Sequence, residues 1–482
     1  MSKTIIIIGA GLAGLSAALQ AAENGCNVKL VSSLPSERAQ SVMAEGGINA
    51  ALNTKDENDS PEEHFTDTIK AACGLADPNA VWGMTQAAPE LVHWLLKLGV
   101  KFNMSGYDDV DLRNFGGQKK KRTAFAQSDT GKQIMTAMID AVRRKEASGM
   151  VERFSHHSFL TLRLCGNICC GCVIRDEYSQ ETVELPGDAV IVATGGMHGL
   201  FGNTTGSLSN TGEVTAELFR LGVPLANGEM IQYHPTTVKC GGKRMLISEA
   251  ARGEGGRLFA MKDGKQWYFM EEKYPELGNL MPRDITAREI WKVSHESEVF
   301  LDMTEISKEV ISNKLSGLAD DCMTYLHKDI RKEPVPVLPG IHYFMGGILV
   351  DEQHRTSIQN LYAAGECCAQ YHGANRLGGN SLLGALYGGR VAAKSACEQA
   401  DVVELSCATQ IDVPPASQIS EIKQLNKVMQ ETMGVVRNEN TLLNGIKTVQ
   451  ALTGNLPLLG MAVLKSALAR KESRGAHWRE DY

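Results

Sequence analysis

The chain has 482 residues, 43% of them hydrophobic, and this suffices for several packed cores because single cores stop growing at about 250–300 residues. Its 49 basic and 56 acidic residues leave a formal charge of -7, and the main basic run is only Lys119 to Arg122. This pattern disfavours nucleic-acid binding, and we interpret the run as a solvated turn.

The N-terminus does not resemble a secretory signal. Met1, Ser2 and Lys3 pass directly into a β-branched run, without the apolar segment and cleavage site of a leader. No stretch of about 18 uninterrupted apolar residues follows, and the nearest approach, Leu456 to Leu468, contains Lys465. We therefore expect a cytoplasmic protein without a membrane span, which would reach the inner face of a membrane only through a partner.

Twelve cysteines are scattered over the chain, and this favours reduced thiols over a disulfide framework. Cys165, Cys169, Cys170 and Cys172 lie among apolar residues in a predicted hairpin. A metal site is the alternative interpretation, but neither a second CxxC pair nor a nearby histidine completes a tetrahedral set. We therefore predict core or strand cysteines and no metal.

The first elements predict a dinucleotide-binding fold. A β-branched strand, Thr4 to Ile8, precedes a glycine fingerprint and then apolar residues at helical spacing. Gly9, Gly11 and Gly14 permit the turn, admit a pyrophosphate and let the helix pack on the strand, while the helix N-terminus supplies partial positive charge. The fingerprint alone leaves FAD and NAD open.

Later strands favour FAD. The second strand, Asn27 to Val31, ends at Ser32, where an acidic residue often holds the adenosine ribose, so that contact must come from a hydroxyl or from elsewhere. Two strands return far along the chain, Ala189 to Ala193 before Thr194 and Asn360 to Ala364 before Gly365. Distant strands are expected to return to one sheet in this way when a long cofactor binds a single domain built from discontinuous segments.

Several segments resemble the flavoprotein subunits of fumarate reductase and succinate dehydrogenase, and their relative L-aspartate oxidase. They are Ala44–Ile48, Arg113–Gln118, Gln232–Thr236, Ser248–Gly256, Pro282–Asp284, His342–Gly347, His372–Ser381 and Glu472–His477. The resemblance covers nearly the whole chain. It implies an α/β fold with a Rossmann-type FAD-binding domain (1–230 and 343–405), an inserted α+β capping domain (231–342) and a helical C-terminal domain (406–482).

The C-terminal region carries its own helical signals. Ile419, Ile422, Leu425 and Val428 recur at helical spacing, and Leu456 to Ala469 indicates another helix. Val413 to Ser417, with two prolines, is interpreted as the linker before them.

The resemblance also implies which residues hold FAD. They are Gly9, Ala10, Gly11, Gly14, Ser32, Ser41, Ala44, Gly46, Gly47, Thr194, Gly195, Glu366, Asn380, Ser381 and Leu382. Membrane-bound relatives attach FAD covalently through a histidine, and the matching position here is Gln40, whose amide cannot form that bond. We therefore predict non-covalent FAD. Within the family, loss of this bond impairs succinate oxidation more than fumarate reduction, so the reductive direction is favoured.

A four-carbon dicarboxylate needs cationic or hydrogen-bonding groups at both ends, and an arginine fork suits a carboxylate. Arg376, His342 and His234 meet this need, and the resemblance adds Ser248 and Phe115 to the substrate pocket. We expect loops to present the histidines, because one precedes a proline and the other opens a glycine-rich turn.

By resemblance, Arg283 donates the proton, and Glu249 and Arg252 reprotonate it. Arginine is an unusual acid, since its pKa exceeds about 12 in proteins. The role therefore requires a strongly basic recipient in a dry site, with Glu249 and Arg252, three residues apart, on one helix face or turn. An ordinary buried ion-pair network is the alternative interpretation.

Fumarate reduction to succinate is the predicted reaction, with electrons from an iron–sulfur subunit or another electron-donor protein. L-aspartate oxidation, reduction of another unsaturated acid, and electron carriage without a substrate are the alternatives. Aspartate oxidases carry a glutamate where Phe115 stands, and an apolar residue leaves a substrate ammonium unpaired. Against this, the chain ends at Tyr482. This ending resembles that of aspartate oxidase more than that of respiratory members, which continue into a further C-terminal lobe.

Overall fold

A computed structural model describes residues 2–106, 109–400 and 418–482. Its central element is a five-stranded parallel sheet with the order β20, β10, β1, β2, β6. The strands are β1 (Thr4–Ile8), β2 (Asn27–Ser32), β6 (Val151–Ser155), β10 (Ala189–Val192) and β20 (Leu361–Ala363). The predicted return of two distant strands to the first sheet is therefore confirmed.

Two small sheets and a three-stranded meander also lie in the predicted FAD-binding part. One small sheet contains β3 (Ile48–Asn49), β4 (Leu112–Arg113) and β5 (Thr123–Ala124), and the other contains β11 (Leu225–Ala226), β19 (Gly347–Leu349) and β21 (Cys368–Ala369). The meander contains β7 (His157–Cys165), β8 (Ile168–Asp176) and β9 (Thr182–Pro186). The predicted cysteine-bearing hairpin is thus confirmed as β7 and β8, with Cys169, Cys170 and Cys172 buried.

Two antiparallel sheets occupy the predicted insertion. The first contains β12 (Ile231–Cys240), β13 (Lys243–Leu246) and β18 (Leu338–Phe344), and the second contains β14 (Arg257–Lys262), β15 (Lys265–Trp267), β16 (Val299–Asp302) and β17 (Val335–Pro336). A separate hydrophobic core, drawn almost entirely from residues between 247 and 337, includes residues of β14, β16 and β17 in the second sheet. This separate core supports the predicted capping domain, whose boundaries stay a prediction.

Helices pack against the parallel sheet of the FAD-binding part and against the antiparallel sheets of the insertion. In the FAD-binding part they are α1 (Leu12–Glu23), α2 (Pro61–Ala71), α3 (Pro78–Lys97), α4 (Thr130–Ala147), α5 (Glu213–Arg220) and α11 (Asn380–Gln399). In the insertion they are α6 (Glu249–Gly253), α7 (Phe269–Lys273), α8 (Arg283–Val293), α9 (Lys308–Lys314) and α10 (Ser316–Leu326). Among the described residues, no helix combines the length and apolar character needed to cross a bilayer.

In the described part of the C-terminal region, residues 418–482, the helices are α12 (Ile419–Thr432), α13 (Glu439–Val449) and α14 (Asn455–Ala469). The helices predicted from Ile419 and from Leu456 are confirmed. Leu425, Leu459 and Val463 pack with residues of the FAD-binding part in one core. The predicted linker from Val413 to Ser417 lies outside the described residues.

The interpretation of Lys119 to Arg122 as a solvated turn was wrong at its last residue. Lys119 and Lys121 are exposed, but Arg122 is fully buried and pairs with Asp59 and Asp67 at 2.9 Å each. Its partners come from positions more than fifty residues earlier, so a basic run by itself gave no sign of them.

Candidate active site

The carboxyl ends of the parallel strands bring predicted cofactor residues to one edge. β1 leads into Gly9, β2 ends at Ser32, β10 precedes Thr194, and Glu366 follows shortly after β20. Open parallel sheets bind their ligands at this edge. The tertiary structure therefore groups four segments that are spread over the chain from Gly9 to Glu366.

The fingerprint turn fits a dinucleotide. A side chain at Gly14 would collide with the carbonyl oxygen of Gly9, so α1 packs directly against the turn. The residue that precedes α1, Gly11, has no side chain to cap the helix, and no acidic residue lies in the first turn, a helix start suited to a phosphate. Ser32 Oγ is buried without a hydrogen-bond partner among the described residues, which fits the expected hydroxyl contact to a ribose.

The remaining predicted cofactor residues lie beside this edge, on the segment Ser41 to Gly47, at Gly195 and at the start of α11 with Asn380, Ser381 and Leu382. Ser41 Oγ accepts a hydrogen bond from Leu12 N at 3.3 Å, which holds the first of these segments against the fingerprint. Asn49 Nδ2 donates to Asn380 Oδ1 at 2.7 Å and links β3 to α11. FAD bound in this cradle would supply the hydride chemistry.

A buried chain of hydrogen bonds joins the predicted catalytic residues. Arg283 donates through Nε and Nη2 to Glu249 Oε2 at 2.8 and 2.6 Å, and Arg252 Nη2 donates to Glu249 Oε1 at 3.2 Å. Glu249 and Arg252 lie on α6, so the predicted shared helix face is confirmed. Burial alone would raise the pKa of Glu249, but Arg283 and Arg252 hold it below its ordinary value, so the carboxylate is ionised.

Gln232 extends this series of hydrogen bonds to Arg376. The sequence analysis did not select Gln232 as a site residue. Its Oε1 accepts from Arg283 Nη1 at 3.0 Å and from Arg376 Nη2 at 2.8 Å. Its Nε2 donates to the carbonyl of Arg376 at 2.8 Å. Gln232 opens one of the segments that carry the resemblance, and this position was the only available signal.

The resulting network carries an unbalanced charge. It contains three guanidiniums, from Arg252, Arg283 and Arg376, and one carboxylate, from Glu249, all of them at least 94% buried. Burial and the nearby Arg283 lower the pKa of Arg376 to about 9, so it is still cationic at neutral pH. Two buried positive charges therefore have no partner within the network, a costly arrangement unless an anion joins it.

The two predicted substrate histidines face each other. The ring centroids of His234 and His342 lie 5.1 Å apart, and His342 Nδ1 lies 2.8 Å from Thr205 Oγ1. The expectation that loops present them was wrong, because His234 lies in β12 and His342 in β18, where strand irregularities re-aim the side chains. Burial, together with neighbouring charged groups, holds the pKa of both well below the ordinary value, so they are neutral hydrogen-bonding groups.

The two remaining predicted substrate residues, Phe115 and Ser248, are both buried. Phe115 is buried, and a Cβ added at Gly46 would lie 3.0 Å from its ring. Ser248 caps α6 and hydrogen-bonds with Glu45, a buried carboxyl that the sequence reasoning did not select. Burial and the charge of Asp321 raise the pKa of Glu45 to about 8, so it is mostly protonated at neutral pH and adds little negative charge.

The comparisons with known proteins agree with this geometry. Residues 4–382 match the FAD binding domain family, and residues 453–482 match the C-terminal family of fumarate reductase flavoproteins. The chain is 38% identical to the succinate dehydrogenase flavoprotein subunit of Bacillus subtilis, over 100% of this chain and 91% of that protein. It is 36% identical to an L-aspartate oxidase of Caulobacter vibrioides, over 99% and 93% of the two chains.

A solved structure of E. coli quinol fumarate reductase superimposes with a TM-score of 0.90 and 27% identity, covering 100% of this chain and 91% of that one. Since the fold, the cofactor cradle and the relatives coincide, the chain is an FAD-dependent oxidoreductase that belongs to the family of succinate dehydrogenase, fumarate reductase and L-aspartate oxidase flavoproteins.

Proposed function

We propose that this protein reduces fumarate to succinate. The observation that carries the proposal is the surplus of two buried positive charges in the network of Arg252, Glu249, Arg283 and Arg376. The two negative charges of a dicarboxylate would balance this surplus. A substrate with two carboxylates would complete this network without leaving an unpaired ion.

Arg376 would bind one carboxylate as a guanidinium, and His234, His342 and Ser248 would hold the substrate as hydrogen-bond donors. Fixed cations at the carboxylate stabilise the carbanion-like charge that develops as hydride arrives at the alkene. Reduced FAD in the cradle would supply a hydride, that is, two electrons and one proton, and Arg283 would supply the second proton, so that the conversion of fumarate to succinate balances. Glu249 and Arg252 would then return a proton to Arg283 through the hydrogen bonds described above.

L-aspartate oxidation is the second candidate, because a 36% identical relative is an L-aspartate oxidase. Aspartate adds an ammonium to the two carboxylates, and that cation would need an anionic partner in the pocket. Buried Phe115 provides none, and Glu45 is mostly neutral. The charge surplus thus favours the dianion fumarate over aspartate.

The test is anaerobic re-oxidation of the chemically reduced flavoprotein on adding fumarate, followed at the flavin absorbance band. We expect rapid re-oxidation, and a loss of about 10²–10⁴-fold in Arg283→Ala, the range of general-acid contributions. Arg257→Ala is the matched control, because Arg257 lies in the same predicted domain and pairs with Glu271 outside the network. A flavin that stays reduced with fumarate, together with hydrogen peroxide formation from aspartate in air, would replace fumarate reduction by aspartate oxidation.

We further propose that FAD is bound without a covalent link. Gln40 begins a short 3-10 turn, Gln40–Met43, and its amide is not a nucleophile toward the flavin. Acid precipitation should release all of the flavin into the supernatant. Yellow, fluorescent protein remaining in the pellet would contradict this proposal.

The electron source is a further proposal. The B. subtilis relative is a flavoprotein subunit, and this supports a protein partner that delivers electrons, such as an iron–sulfur subunit. Co-purification from the native host under mild conditions would test it. A flavoprotein that turns over with a soluble reduced carrier alone, and that co-purifies with nothing, would favour the carrier.

A further inference from the structure

The helix that carries the candidate proton donor is tied to two other parts of the chain. α8 begins at Arg283, and the next residue, Asp284, accepts a hydrogen bond from Asn375 Nδ2 at 3.0 Å. Asn375 in turn directly precedes Arg376. The sequence neighbours of the two arginines that share Gln232 are thus bonded to each other across the predicted domain boundary.

Arg288 reaches from the second turn of α8 to the C-terminal segment. Its Nη1 donates to Asp284 Oδ2 at 3.3 Å and to the carbonyl of Gly475 at 3.2 Å. Its guanidinium carbon lies 4.1 Å from the ring centroid of Trp478, a cation–π contact. Because Asp284 and Arg288 form a neutral pair, they leave the charge surplus of the network unchanged.

The same C-terminal segment holds the loop that carries Arg376. Ala476 N donates to the carbonyl of Ala374 at 2.8 Å. Gly475 has a φ of +54°, and a Cβ there would lie 2.5 Å from the oxygen of Ala374, so a side chain at this position would push the two segments apart. Residues 474–478 therefore contact both arginine-bearing elements.

The segment is itself anchored in the helical region. Arg437 is buried, donates through its backbone N to the carbonyl of Trp478 at 2.9 Å, and places Nη1 2.9 Å from Nδ1 of buried His477. Arg437 Nη1 also donates to the carbonyl of Glu229 at 2.8 Å, just before β12 begins. The segment thus has a fixed base from which it can restrain α8.

We infer that Arg288 and residues 474–478 form a latch that holds Arg283 and Arg376 at the spacing required for proton transfer. Arg288 and Trp478 are positioning residues, which act through α8 and do not touch the substrate. The inference rests on the proposed function for its kinetic part. A displacement of about 1 Å in a reacting group can cost about 10²-fold in rate, so a slack latch affects turnover even in a folded protein.

The test compares Arg288→Ala with Arg257→Ala. Arg257 makes the same kinds of contact in the same predicted domain, with an acidic partner at 2.6 Å in Glu271 and an aromatic ring at 3.7 Å in Tyr268, but these contacts stay within that domain. We expect Arg288→Ala to slow fumarate-driven re-oxidation of the reduced flavin by about 10–100-fold, with a smaller change in KM. Re-oxidation by a neutral dye should stay at the wild-type rate in both variants.

Hydrogen exchange without fumarate provides a readout independent of the reaction. Amides of α8 should exchange faster in Arg288→Ala and at the wild-type rate in Arg257→Ala. If Arg288→Ala does not fold, Arg288→Lys and Trp478→Phe take its place. Arg288→Lys should retain only part of the wild-type rate. Trp478→Phe keeps a ring for the contact and should act like wild type.

If fumarate does not re-oxidise the reduced wild-type protein, the proposed function is overturned. The hydrogen-exchange rates of α8 would still test the latch in that case. Equal exchange and equal re-oxidation rates in wild type, Arg288→Ala and Arg257→Ala would overturn the latch alone. Equal losses in the two alanine variants would also overturn it, because they would reflect general weakening of that domain.

Discussion

Two buried arginine clusters in this protein differ in their charge balance. In the FAD-binding part, Arg122 donates to Asp59 at 3.1 and 2.9 Å and pairs with Asp67, while Lys120 adds a second positive charge near Asp59. Two cations thus face two carboxylates. At the candidate site, three guanidiniums share the single carboxylate of Glu249.

The difference separates a structural cluster from a ligand-binding one. A balanced cluster can stay closed in the fold, and removing one partner exposes the other to a large desolvation cost. A cluster with surplus charge is complete only when a ligand of opposite sign enters. The comparison predicts that the first cluster governs stability and the second governs activity.

Among the substitutions that compare the two clusters, Arg376→Ala should give the largest effect on activity. Truncating a buried partner of a charged group typically costs about 2–5 kcal/mol of binding, so kcat/KM for fumarate should fall by about 30- to 5,000-fold. The unfolding temperature should be unchanged or higher, because the substitution removes a buried cation next to Arg283. Steady-state kinetics and thermal unfolding check both parts, and a clear fall in the unfolding temperature would contradict the comparison.

Arg122→Ala should show the reverse pattern. Removing Arg122 leaves buried Asp59 and Asp67 with only the positive charge of Lys120 near them, so the free energy of unfolding should fall by about 3–5 kcal/mol in urea titrations. Re-oxidation per molecule of flavin-bound protein should stay close to the wild-type rate. Loss of activity at unchanged stability would place Arg122 in the site instead.

The pH dependence of KM sharpens the comparison. Arg376 is cationic below its pKa of about 9 and loses its charge as the pH rises through that value, so anion binding weakens above it. KM for fumarate should rise by up to about tenfold per pH unit there. Re-oxidation by a neutral dye over the same range is the control, and a flat KM would contradict either the lowered pKa of Arg376 or its binding of the substrate anion.

The smallest effect is expected at a third buried cluster, the neutral thiols of β8. Burial raises the pKa of Cys169 to about 12, so it stays protonated and without charge. Dialysis against a metal chelator should leave flavin content and re-oxidation rate unchanged. A loss of either that added zinc restores would revive the metal interpretation of Cys165 to Cys172.

Local patterns determined much of the fold. The strand Thr4–Ile8, its glycine turn, the two returning strands and the helices beginning near Ile419 and Leu456 follow from periodicity and glycine placement, which act over a few residues. The pairing of Glu249 with Arg252 is equally local, since both lie on one short helix.

Tertiary structure alone decided how the site is assembled. Gln232 meets Arg376 across 144 positions, and Arg122 meets Asp59 across 63, distances over which no sequence period operates. The strand location of His234 and His342 also depended on a pairing between distant segments. Residue types and local elements follow from the order of amino acids, whereas packing sets which buried charges share a partner, and so where an anion is needed.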